Sequence, residues 1–90
     1  MEEFRIKIKK GALKSVNKYQ EYKSKLIDLF VTLKRNPLPY REYDLVKLKG
    51  YEQVYRVRLG KLRVIYQIDW TNKTITILVV AKRSAAYKSL

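Results

Sequence analysis

Arg56, Arg58 and Arg63 lie close together in YRVRLGKLRVIYQID, residues 55–69. A guanidinium is a planar fork of donors. It grips phosphate or carboxylate at two points and does not give up its proton. Spacing decides whether the three can act together. The segment reads as two strands joined at Gly60-Lys61, and Gly at the first loop position fits a type II′ turn. Counting outward sets Leu59 opposite Leu62, Val57 opposite Val64 and Tyr55 opposite Tyr66 on one face. Arg58 then faces Arg63, and Arg56 faces Ile65, on the other. Like charges directly opposed destabilise a ladder by about 0.2–1 kcal/mol. The apolar face reads as core and the arginine face as a seat for an anion. The competing reading is a solvated face whose charges keep the sheet soluble.

The elements that position this hairpin follow from the rest of the chain. Ninety residues with a net charge of +13 suit a single domain over 1–90 with a modest core and a polyanionic partner. After Glu52 the only acid is Asp69, set against Arg56, Arg58, Lys61, Arg63, Lys73, Lys82, Arg83 and Lys88. Cysteine and histidine are absent. That excludes disulfides, thiol catalysis, Cys/His zinc sites and a histidine base, and no metal or cofactor is expected. No apolar run reaches membrane-spanning length, and MEEFRIKIKK is not a signal peptide, so the expected setting is the cytoplasm.

Residues 3–9, EFRIKIK, alternate as a strand buried on one face, its basic residues blunting a sheet edge. From Gly11 the period becomes helical through Ala12, Leu13, Val16 and Tyr19. After a break near Gln20-Glu21, a second helix places Tyr22, Leu26, Leu29, Phe30 and Leu33 on one stripe and ends before Asn36-Pro37. Lys14, Lys18, Lys23 and Lys25 read as solvated. Residues 36–52 read as an irregular connection, with Leu45, Val46 and Leu48 tucked onto the core. Tyr40 and Tyr43 either cover a core edge or stack on a base. Thr74–Ala81 lacks clean alternation and reads as a central strand buried on both faces. A two- or four-residue loop after Asp69 puts Ile75, Ile77 and Val79 on the core face and Lys82 on the arginine side. KRSAAYKSL forms a short basic tail with one aromatic, Tyr87. The expected fold is α+β, β-α-α-β-β-β, with a helical hairpin on one face of a mainly antiparallel sheet and the basic face open.

KLKG (Lys47–Gly50), YRVRLGKLRVIYQI (Tyr55–Ile68) and KRSAAY (Lys82–Tyr87), in this order of elements, resemble the RelE/ParE superfamily of bacterial and archaeal toxins. The resemblance implies a toxin of a type II toxin-antitoxin system. In its RelE-like branch it implies ribosome-dependent cleavage of mRNA in the A site, silenced by a cognate antitoxin that wraps the toxin. Carried over by position, the family's site residues fall on Arg56, Arg58, Arg63, Arg83 and Tyr87. Arg58, Arg63, Arg83 and Tyr87 are expected to be catalytic. Arg56, Lys61, Lys82 and Lys88 are expected to contact RNA.

This chain has arginine at 56 and 58, where RelE-like enzymes tend to have lysine. Arginine stabilises charge but is a poor base. Tyr87 or Lys82 is left as proton acceptor, or the activity rests on positioning. An antitoxin that is acidic and amphipathic fits the +13 charge. Two other readings stand beside this one: a ParE-like toxin that inhibits DNA gyrase, and a non-catalytic RNA- or ribosome-binding module.

Overall fold

The computed structural model describes residues 3–83, 85–88 and 90. Its elements are β1 (Arg5–Ile8), α1 (Lys10–Lys18), a 3-10 turn (Gln20–Tyr22), α2 (Lys23–Arg35), β2 (Asp44–Lys47), β3 (Val54–Leu59), β4 (Leu62–Asp69), β5 (Thr74–Lys82) and α3 (Ala85–Lys88). The sheet order is β1-β5-β4-β3-β2. Only β1 and β5 run parallel. The α+β class, the helical hairpin and the central place of β5 are as the sequence implies.

The helices form one layer because their apolar residues recur at helical spacing. Ala12 and Val16 of α1 and Leu26, Leu29 and Leu33 of α2 are buried against Val57, Leu62, Val64, Tyr66, Ile75, Ile77 and Val80 of the sheet. Asn36 adopts an extended backbone before Pro37, and α2 ends there. The Tyr66 hydroxyl reaches across the core and donates to the Pro37 carbonyl at 2.6 Å, anchoring the segment after α2. Burial, with the neighbouring Tyr55 and Tyr40, pushes the Tyr66 phenol upward.

The structure departs from the sequence reading in two places within the sheet. The connection at 36–52 contains β2, a fifth strand on the sheet edge. Of its residues only Leu45 is buried, and Val46 is exposed, so the four residues show no apolar alternation. The second departure is a β-bulge. The four-residue loop pairs Asp69 with Thr74, and Ile75 and Ile77 face the helices as expected. Then Ile65 pairs with Val79 and Tyr66 with Ile77, which leaves Leu78 as the extra residue. One inserted residue exchanges the faces of everything beyond it. Val79 therefore turns away from the helices, and Val80 turns toward them. Lys82, paired with Leu62, lies on the helical side rather than the arginine side. Its Nζ stands 5.4 Å from the Tyr19 ring centroid.

Candidate nucleic-acid interface

The hairpin register is the one counted from the turn. Leu59 pairs with Leu62, Arg58 with Arg63, Val57 with Val64 and Arg56 with Ile65. Gly60 has φ +57°, as the first position of a II′ turn requires, and Lys61 does not take positive φ. Arg56, Arg58 and Arg63 therefore share the sheet face away from α1 and α2.

That face is not bare, which corrects the open surface expected. α3 lies on it. Ala86 is fully buried with Val54, Ile65 and Val79, and Leu48, Leu78 and Ala81 pack around them. The bulge at Leu78 builds this second cluster, since it directs Val79 to this side. Arg83 makes the corner into α3 with φ +45°. Its N–H donates to the Lys61 carbonyl at 3.3 Å, and its carbonyl accepts from the Ala86 N–H at 3.2 Å. The tail is thus tied to the hairpin turn. Ser84 and Ser89 of the expected tail lie outside the described residues.

Docking of α3 brings Tyr87 to Arg56. Arg56 Nη1 donates to the Tyr87 hydroxyl at 3.5 Å, and Arg56 Nη2 donates to Asp44 Oδ1 at 3.1 Å. The Arg56 side chain is only 12% exposed, and its Nε is buried without a partner among the described residues. Arg58 is half exposed, its Nε 3.7 Å from Asp44 Oδ2. Arg63 Nη1 turns back to the Gly60 and Leu62 carbonyls, at 3.3 and 3.2 Å. The opposed Arg58 and Arg63 are therefore compensated within the chain, by a carboxylate and by turn carbonyls. A sequence reading that left this work to nucleic acid alone missed Asp44. Its signal was β2 itself: once that strand is in register, Asp44 falls opposite Arg58.

Of the expected site residues, Arg56, Arg58, Arg63 and Tyr87 come together on this face, and Arg83 borders it. Lys61 in the turn and Lys88 at the end of α3 are exposed at its rim. Lys82 is not part of the group. Guanidinium groups and a phenol can bind a phosphodiester, stabilise developing charge and exchange one proton. Among the described residues no three Asp or Glu side chains gather as a metal site. A groove of about 720 Å³ also opens on this face of the sheet, lined by Arg5, Lys7, Gln67, Trp70 and Thr76. Glu52 and Asp69 line it too, so its charge is balanced and it lacks the positive bias of the arginine cluster.

Comparison with known proteins bears on these features. The family model for the ParE toxin of the type II toxin-antitoxin system parDE matches residues 6–87. The chain is 39% identical over 87 residues to "Putative toxin RelE1" of Methanocaldococcus jannaschii, which covers 96% of this chain and 97% of that protein. It is similar to a chain of the archaeal RelE-RelB complex from Pyrococcus horikoshii, with a TM-score of 0.81 and 32% identity over 92% of this chain and 98% of that one. A mutant E. coli RelE toxin in the free state shares the fold, with a TM-score of 0.77 and 22% identity over 99% and 94% of the two chains.

Proposed function

The chain belongs to the ParE toxin family of type II toxin-antitoxin systems, within the RelE/ParE superfamily, and from that premise we propose that it stops translation by cutting mRNA in the ribosomal A site. It is a toxin of a type II toxin-antitoxin system. The observation that carries the RNA reading is that Arg56, Arg58 and Arg63 share one sheet face, on which Arg56 Nη1 stands 3.5 Å from the Tyr87 hydroxyl.

RNA brings its own nucleophile. The 2′-oxygen attacks the adjacent phosphorus, the bond to the 5′-oxygen breaks, and products end in a 2′,3′-cyclic phosphate and a 5′-hydroxyl. One proton leaves the 2′-oxygen and one reaches the 5′-oxygen. Arg58 and Arg63 hold the scissile phosphate and the charge that grows on it. Arg83, Lys61 and Lys88 hold the neighbouring backbone. Arg56, nearly buried, positions Tyr87 more than it grips RNA. Tyr87 stacks on a base or transfers the proton, because Lys82, the other proton acceptor considered, lies on the helical side. No step needs a metal or cofactor. One domain over residues 1–90 acts in the cytoplasm. No helix among the described residues is long and apolar enough to cross a membrane. A cognate antitoxin, acidic and amphipathic, silences the toxin by covering part of the surface of this chain, whose net charge is +13. The Pyrococcus horikoshii relative was crystallised as a RelE-RelB complex, which supports such a partner.

A translating extract tests the proposal. Wild type cuts ribosome-bound mRNA to cyclic-phosphate ends, and Arg63→Ala loses at least about 100-fold in cleavage rate, the scale for removing one donor to a developing oxyanion. Equal cleavage by both proteins removes Arg63 from the mechanism. A second reading rests on the matching family model, which is that of ParE. Inhibition of purified gyrase in a supercoiling assay, without mRNA cleavage, would select it.

A further inference from the structure

The arginine face already holds an anion of its own. Asp44 lies on the edge strand β2, in register with Arg58. Its two carboxylate oxygens go to different arginines, Oδ1 to Arg56 Nη2 at 3.1 Å and Oδ2 toward Arg58 Nε at 3.7 Å. We infer that Asp44 is an internal counter-anion occupying the seat between Arg56 and Arg58, and that an RNA phosphate enters by exchange with it. The inference rests on the RNA reading above and adds to it what limits the affinity of the site.

Carboxylate and phosphodiester present similar oxygen pairs to a guanidinium fork, so one seat accepts either. The two halves of the Asp44 contact differ. The Arg56 contact is close, and its arginine is nearly buried although the carboxylate is half exposed; breaking it strands a cation whose Nε lacks a partner among the described residues. The Arg58 pair is long and half exposed, so it opens at little cost. A phosphate therefore takes Arg58 first and displaces the carboxylate as it settles. In the free protein the same carboxylate offsets the repulsion between Arg58 and the directly opposed Arg63.

The test measures binding without cleavage, using a single-stranded 2′-O-methyl oligonucleotide whose attacking hydroxyl is blocked, over a range of salt. Asp44→Asn is expected to bind about two- to fivefold more tightly at low salt, the range an exposed ion pair spans. Its plot of log affinity against log salt steepens by up to about 0.7, the increment of one phosphate on a single strand, because no carboxylate is released to offset the phosphate that takes the seat. Asp28→Asn, on the exposed surface of α2, makes the same change in net charge and leaves both quantities at wild-type values. Val46→Asp adds a carboxylate at an exposed β2 position in register with Arg56 and weakens binding by a similar factor, a readout that survives if Asp44→Asn fails to fold.

Inorganic pyrophosphate supplies an independent measurement: it raises the melting temperature of Asp44→Asn more than that of wild type. Equal shifts, or Asp44→Asn binding no more tightly while Arg58→Ala still weakens binding, would overturn the inference and leave the RNA reading standing. If neither Arg58→Ala nor Arg63→Ala changes oligonucleotide binding, the RNA reading itself fails, and the inference with it.

Discussion

The ring of Tyr22 lies directly against Gly60: a Cβ added to Gly60 would stand 3.1 Å from Tyr22 Cε1. The Tyr22 hydroxyl also accepts the Lys61 N–H at 3.2 Å. The last residue of the 3-10 turn, just before α2, therefore fixes the turn whose carbonyls hold Arg63.

Gly60→Ala must place a side chain at φ +57° and push on that ring. The left-handed backbone alone costs about 1–2 kcal/mol, and the close approach adds to it. Tyr22→Phe keeps the ring and removes one partly exposed hydrogen bond, for about 0.5–1.5 kcal/mol. Denaturant unfolding of the two variants is expected to rank them in that order.

Ala86 is fully buried beneath α3, between that helix and the sheet. An aspartate there would bring a charge into the cluster of Val54, Ile65 and Val79, and a four-residue helix holds less free energy than the burial of a charge costs. Ala86→Asp is therefore expected to release α3 and leave the sheet folded. Hydrogen exchange at residues 85–88 rises to that of a free peptide while β4 and β5 stay protected. Cleavage falls at least about tenfold with the loss of the Tyr87 contact.

Lys82 and Arg58 make a paired test of face. Lys82 sits over Tyr19 on the helical side, and Arg58 lies on the side with Arg63. Lys82→Ala is expected to change RNA affinity less than about twofold, and Arg58→Ala about five- to tenfold, the difference between a distant and a contacting charge. Equal losses measured by anisotropy would contradict the assignment of faces.

Tyr66 carries the alkaline limit of stability. Its phenol, ordinarily near 10.0, is raised chiefly by burial. The folded state thus keeps the proton where the unfolded chain has lost it. The contribution is complete below pH 10 and declines as pH rises above it toward the higher folded value. Tyr66→Phe is expected to flatten that decline. At neutral pH it costs about 1–3 kcal/mol, since the Pro37 carbonyl loses its buried donor. Urea unfolding between pH 8 and pH 11 measures both effects.

The hairpin was legible because Gly60-Lys61 defines a loop length, and loop length defines every pair out to Tyr55 and Tyr66. The helices were legible because Leu26, Leu29 and Leu33 repeat at their own period. The bulge at Leu78 had no such mark. Ile77, Leu78, Val79 and Val80 are all apolar, so faces could exchange anywhere among them, and the position of Lys82 was lost with them. β2 escaped because an edge strand need bury only one residue, Leu45. Without β2 the partner of Arg56 and Arg58 could not be named. Nor could alternation show that Ala86 would find a pocket, because that pocket exists only once Val79 has changed sides.

The parallel pairing of β1 with β5 joins the start of the chain to nearly its end, Arg5 beside Thr74 and Ile8 beside Ile77. The strand at the middle of the sheet's β1-β5-β4 run is thus the last in chain order among the described residues. A nascent chain that has reached only Asp69 has a hairpin and two helices with nowhere to close, and β1 waits without a neighbour. The arginine face and the pocket for Ala86 therefore take shape only once β5 is available to pair with both β1 and β4.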